Sequence, residues 1–172
     1  MGPVSTEVEI DVPRERVFEF VADLANRPSF TDHFVSDFHL TRIEPTGVGA
    51  GARFRVNVPL GSAWMDTAIA ELDEPYRIVE HGSGGRGNRV RSTTVWELTE
   101  GPGSLTRVRV SHWTESLHPV DRVKEALGGA SFQHERRWRE ALRRLRDGLE
   151  SGASADGRVA VAGGNRYATG IP

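Results

Sequence analysis

A chain of 172 residues with 37% hydrophobic residues and 19 glycines is long enough to bury one proper core, because about 150 residues already remove roughly 70% of the unfolded surface from water. A formal charge of −2 argues against a polyanionic partner such as nucleic acid, and the lack of cysteine rules out disulfides and thiolate chemistry and points to a reducing, cytoplasmic setting. The opening "MGPVSTEVEI" lacks the apolar stretch of a secretion signal, and no run of residues is apolar enough to predict a membrane span.

Residues 5–10, "STEVEI", alternate polar and apolar and predict a strand with Thr6, Val8 and Ile10 on one face. Pro13 then stands at the tolerated first position of a helix, in which Val17, Phe20, Val21 and Leu24 keep the spacing of a buried stripe. A second helix of one or two turns is expected at about 26–30. From Val35 to Thr114 a period of two takes over, divided by "PTGVGAG", "PLG", "DEP", "GSGGRGN" and "EGPGS". The expected strands are 35–44, 51–59, 62–73, 76–82, 89–99 and 104–114. Pro119 opens the last helix, expected to run to about Glu150 with Val120, Val123, Leu127, Ala130, His134, Trp138, Ala141, Leu142, Leu145 and Leu149 on one face. Residues 151–172 have no period and many small residues, so a disordered tail is expected behind a single domain of residues 1–150.

This order predicts an α+β helix-grip architecture. A seven-stranded, curved antiparallel sheet wraps around a long C-terminal helix, and two short helices follow the first strand. The stretches "VEIDVPRERVFEFVADLANRPSF", "GVGAGARFRV", "ELDEPYRIVEH" and "TTVWELTEGPGSLTRVRV" resemble the START/Bet v 1-like (SRPBCC) superfamily, in particular its polyketide cyclase/dehydrase and lipid-transport group. The resemblance covers residues 4–150 and is specific for fold, not for a reaction. It implies a cavity between sheet and C-terminal helix that holds a hydrophobic ligand.

Strand parity then nominates a site. In "SLTRVRVSHWTES", Val108, Val110 and His112 share one face and Arg107, Arg109 and Ser111 the other. His112 therefore points inward with the valines, and His134 falls on the apolar face of the last helix. Trp96 and Leu98 lie opposite Glu97, and Phe54, Val56 and Val58 lie opposite Arg53, Arg55 and Asn57. The expected lining is Phe54, Val56, Val58, Trp96, Val110, His112, Leu127, His134 and Trp138, an apolar cup with few polar groups. Gly128 and Gly129 weaken the helix by roughly 1 kcal/mol each, acceptable where a helix is a cavity wall rather than a packed rod. The alternative is that they permit close helix–sheet contact and that His134 is a hydrogen-bonded core residue.

Other motifs point elsewhere than to chemistry. "GSGGRG" (82–87) precedes a strand, so no helix N-terminus is there to receive a phosphate, and a hairpin loop is expected. "HERRW" places Trp138 where a zinc-binding helix needs its second histidine. The histidines at 33, 39, 81, 112, 118 and 134 have no ligand spacing, so neither metal nor cofactor is expected. Three functions fit this pattern: binding of a lipid, polyketide or aromatic metabolite; cyclisation or dehydration of a polyketide with His112 as base and His134 as donor; or a protein-partner module of the Hsp90-activator type. The protein is expected to be a monomer or homodimer. Because Val159, Val161 and Tyr167 are too sparse to build a docking face, deletion of residues 151–172 should move the melting temperature by no more than a few degrees in a thermal scan.

Overall fold

A computed structural model describes residues 3–58, 61–116, 130–152 and 160–161. Strand β1 (Val4–Ile10) leads into α1 (Arg14–Ala22), a 3-10 turn and the one-turn α2 (Pro28–Thr31). Then come β2 (Val35–Leu40), β3 (Gly51–Val58), β4 (Gly61–Asp73), β5 (Arg77–Gly84), β6 (Val90–Glu100) and β7 (Thr106–Ser116), and finally α3, described over Ala130–Glu150. The strands pair antiparallel in the order β1-β7-β6-β5-β4-β3-β2, and a two-residue β8 (Ala160–Val161) adds parallel to the free side of β2. The expected helix start at Pro119, including Leu127 and the Gly128–Gly129 pair, lies outside the described residues, as does most of the 151–172 tail.

Two irregularities curl the sheet. The β4–β5 register shifts between Ile69 and Glu71, and the extra residue lets both Ile69 and Leu72 face inward while the strand bends. The β2–β3 register shifts between Ser36 and His39, where Asp37 takes a φ of 50°, a left-handed conformation that Asp tolerates better than most residues. Strand ends differ from expectation by a few residues, most at β2, which stops at Leu40 instead of 44. One difference has a steric reason. Gly82 and Gly84, expected in a hairpin loop, belong to β5. A Cβ on Gly82 would collide with the Ser92 hydroxyl and the Asp66 carbonyl, and one on Gly84 with the Trp64 carbonyl.

Parity holds on β6 and β7. Inward-facing Trp96, Leu98, Val108 and Val110 are at most 1% exposed, whereas Glu97 and Arg109 between them are exposed. On the outer face Glu7 meets Arg109 and Glu9 meets Arg107, each at 2.8 Å. In α1 the buried positions are Val17, Phe18, Val21 and Ala22, so Phe18 takes the deep place expected of Phe20, which only packs against the core rim. Helix α3 buries Trp138, Ala141, Leu142 and Leu145, one stripe at i, i+3, i+4 and i+7. It packs on β1 and α2. It is tied to the sheet and to the segment after α2 at Arg137, which donates to the Asn57 carbonyl (2.6 Å) and whose own carbonyl lies 3.1 Å from His33 Nε2.

The core also holds an ion pair that hydrophobic patterning does not announce. Arg27, at the foot of α2, and Glu80, on the inner face of β5, are 6% and 4% exposed. Their atoms meet at 2.5 Å (Nη2 to Oε1), and Trp96 Nε1 donates to the same oxygen at 2.9 Å. The guanidinium lies over the Trp96 ring, 4.7 Å from its centroid, and 5.6 Å from that of Phe30. Removing one member of such a pair strands the other charge in a dry place. Arg27→Met should therefore cost about 3–5 kcal/mol, while Arg27→Met combined with Glu80→Gln, which keeps an acceptor for Trp96, should recover a large part of that loss. Urea denaturation of both variants checks this, and equal losses would show that the bare charge is not the cost.

Candidate functional site

Cross-strand rows on the inner face define the site. One row runs Leu72–Ile78–Trp96–Val110–Thr6 and the next Ile69–Glu80–Thr94–His112–Val4. Beyond it comes a row of Thr67, Gly82, Ser92 and Thr114, then Met65, Gly84, Val90 and Ser116. The first row is closed at its centre, with Ile78 and Trp96 both 0% exposed. Beyond His112 burial is mixed: Thr67, Ser92, Thr114, Met65, Phe54 and Val56 are half-buried, whereas Gly84 and Ser116 at the far end are buried. The concave face thus has a dry, packed half and an accessible half floored by hydroxyls and glycines. Beside the expected apolar lining the face therefore carries the hydroxyls of Thr67, Ser92 and Thr114.

The two candidate histidines meet at the boundary between the halves. The His112 and His134 rings stack at a centroid distance of 5.7 Å with 8° between their planes. His112 Nδ1 lies 2.9 Å from Thr94 Oγ1, and its ring tilts against Trp138 at 5.6 Å. Trp138 in turn meets Trp96 and Phe34 edge-on at 5.6 and 5.7 Å, and Trp96 meets Phe30 at 6.2 Å. A continuous series of aromatic rings therefore runs from α2 through the core to the histidine pair. Edge-to-face pairs of this kind add about 0.5–1.5 kcal/mol each beyond area burial.

Of the other expected lining residues, Trp96, Val110 and Trp138 are members of the packed core cluster. Phe54 stacks on Phe38 at 5.7 Å and, with Val56, sits on the accessible side. The backbone of Val58 ends β3, and its side chain, like Leu127, is outside the described residues. Sequence reasoning missed Glu80, Arg27 and Thr94. The first and last carried a readable signal, since a period of two puts Glu80 on the face of Ile78 and Thr94 on that of Trp96. Among the described residues no group of three His, Cys, Asp or Glu side chains is placed to hold a metal ion. Two open grooves, of about 630 and 920 Å³, flank α3. Both are lined largely by charged side chains such as Glu7, Arg143 and Arg146, and neither touches the histidine pair.

Burial sets the electrostatics of the pair. Loss of water around the His112 ring, reinforced by His134 beside it, pushes the His112 pKa down to about 3. His33, also stripped of water, is lowered too, although its bond to the Arg137 carbonyl opposes the shift. A lowered folded-state pKa means that the unfolded chain binds the proton first, near pH 6.5. The contribution of His112 to stability is therefore complete above about pH 6.5 and is lost, at up to about 1.4 kcal/mol per pH unit, as pH falls toward 3. In an NMR titration its ring signals should stay flat from pH 8 to about pH 4.5. A transition near pH 6.5 would show a solvated ring.

The family described as polyketide cyclase / dehydrase and lipid transport matches residues 1–151. Similar solved structures include DR_A0006 from Deinococcus radiodurans (18% identity, TM-score 0.61, 88% of this chain and 99% of that one). TTHA0849 from Thermus thermophilus is 19% identical, with a TM-score of 0.66 over 89% of this chain and all of that one. DynU16, a protein in the dynemicin biosynthetic locus, is 22% identical with a TM-score of 0.59, and the match spans 89% of this chain but 49% of DynU16. At these identities the likeness is one of fold, and no curated protein matches the sequence. The family match runs over nearly the whole chain, on a sheet that grips its last helix as the superfamily's does, and it makes this protein a member of the polyketide cyclase / dehydrase and lipid transport family, within the START/Bet v 1-like superfamily.

Proposed function

We propose that the protein binds a hydrophobic small molecule, a lipid, polyketide or aromatic metabolite, on the accessible half of its concave face. The observation that carries this reading is the change along that face from side chains 0–1% exposed to the half-buried Thr67, Ser92 and Thr114 beside Gly82, with two stacked imidazoles at the boundary. An apolar wall with a few placed polar groups is how small-molecule sites are commonly built. A ligand there has aromatic surface to cover and hydroxyls and an imidazole to bond. Among the described residues no helix is long and apolar enough to cross a membrane.

A second reading, polyketide cyclase or dehydratase, draws on the same pair. Removing a proton next to a carbonyl needs a base able to take it near neutral pH, and a ring with a pKa of about 3 does so poorly. His112 is therefore better suited to hydrogen-bond a substrate oxygen, which leaves proton removal to His134. Turnover of a poly-β-ketone surrogate, lost in His134→Ala, separates the enzyme from the carrier.

Binding itself is tested with Nile red, a neutral planar dye, followed by its fluorescence. Ser92→Phe, which fills the accessible half from the middle of β6, should weaken binding at least about tenfold. Glu97→Gln on the outer face of the same strand should leave it unchanged. Equal affinity in both variants would place the dye elsewhere and overturn the reading.

A further inference from the structure

We infer that Thr94 holds His112 as a neutral imidazole with its hydrogen on Nε2, so that the site selects ligands presenting an uncharged carbonyl oxygen. The inference rests on the reading above, that this face binds a ligand, and names the chemistry it recognises.

The hydrogen-bond inventory carries it. A hydroxyl has one hydrogen to donate, and a neutral imidazole has one donor nitrogen and one acceptor nitrogen. Thr94 is 7% exposed, and among the described residues its hydroxyl has one side-chain partner, His112 Nδ1 at 2.9 Å. If Nδ1 carried the ring hydrogen, it would donate to Oγ1 and the buried Thr94 hydrogen would have no acceptor there. If Thr94 donates instead, both groups are satisfied. The ring hydrogen then sits on Nε2, which has no hydrogen-bond partner among the described residues. A bond to one imidazole nitrogen decides which of the two is protonated, and is a general device for aiming the other.

The charges nearby complete the selection. Glu80 neighbours Thr94 in the same cross-strand row, and its charge is already matched by Arg27. No guanidinium is left over on this row to meet a carboxylate. Among the described residues of this row an anionic ligand would give up water without meeting a counter-charge. A ketone, ester, amide or quinone oxygen accepts from Nε2 at no such cost, and the stacked rings offer a planar ligand a surface to continue.

Two measurements test this. Long-range ¹H–¹⁵N correlation spectra of the unmodified protein at pH 7 should show His112 neutral with its hydrogen on Nε2. An Nδ1-protonated or cationic ring overturns the inference without any variant. The second uses three probes of one shape: 2-acetylnaphthalene, 2-ethylnaphthalene and 2-naphthoate. The ketone should bind about five- to tenfold more tightly than the ethyl compound, and naphthoate should bind more weakly than the ketone. That preference should persist in Thr94→Ser and vanish in Thr94→Val, which keeps the shape but cannot donate. Preference unchanged in Thr94→Val, or naphthoate binding most tightly, overturns the inference while leaving the binding site in place. If none of the three shifts a signal from the concave face, the binding reading fails and this one fails with it.

Discussion

A carboxylate on the inside of a β-sheet has to be answered, and most of this structure is arranged around the answer given to Glu80. Its oxygen collects a guanidinium from α2 and an indole N–H from β6. The first ties the helical segment to the sheet, and the second fixes the plane of Trp96. The cation in turn lies over the aromatic face it helps to orient. A pair this dry is worth little as net stability. Its value is directional, because it permits one placement of α2 and one orientation of the central tryptophan.

That orientation propagates by packing. Trp96 meets Trp138, Trp138 meets His112, and His112 meets His134, so rings on β6, α3 and β7 take mutually dependent positions. Close-packed interiors respond to a missing methylene, so these rings constrain one another's placement. One run of packed rings thus joins the buried ion pair to the stacked histidines.

The fold was legible because it is written in periodicity. Alternation in "TRVRVSH" separates Val108, Val110 and His112 from the arginines, and the structure keeps that division residue for residue. The pair His112–His134 followed from the same parity plus the helical stripe. What escaped was written in single residues. Arg27 sits in a short irregular segment with no period to betray its direction, and in "GSGGRG" Gly85 and Gly87 do turn the chain while Gly82 and Gly84 belong to the strand, where crowding by neighbouring strands demands glycine. Thr94 was ambiguous for another reason. A threonine on an apolar face is ordinary strand composition, and only its distance to His112 gives it meaning.

The two bridging residues of β8 have a consequence for life at high concentration. In an open sheet the last strand presents unpaired backbone groups, a template on which a second molecule can add its own strand. β2 is that strand here, and His39 and Leu40 are paired by Ala160 and Val161. Their partner is a segment of the same chain more than a hundred residues downstream, joined to α3 by a short tether. Such a tether keeps its local concentration far above that of a neighbouring molecule. At His39 and Leu40 the pairing comes from the same chain, at positions a strand from another copy would otherwise have to take.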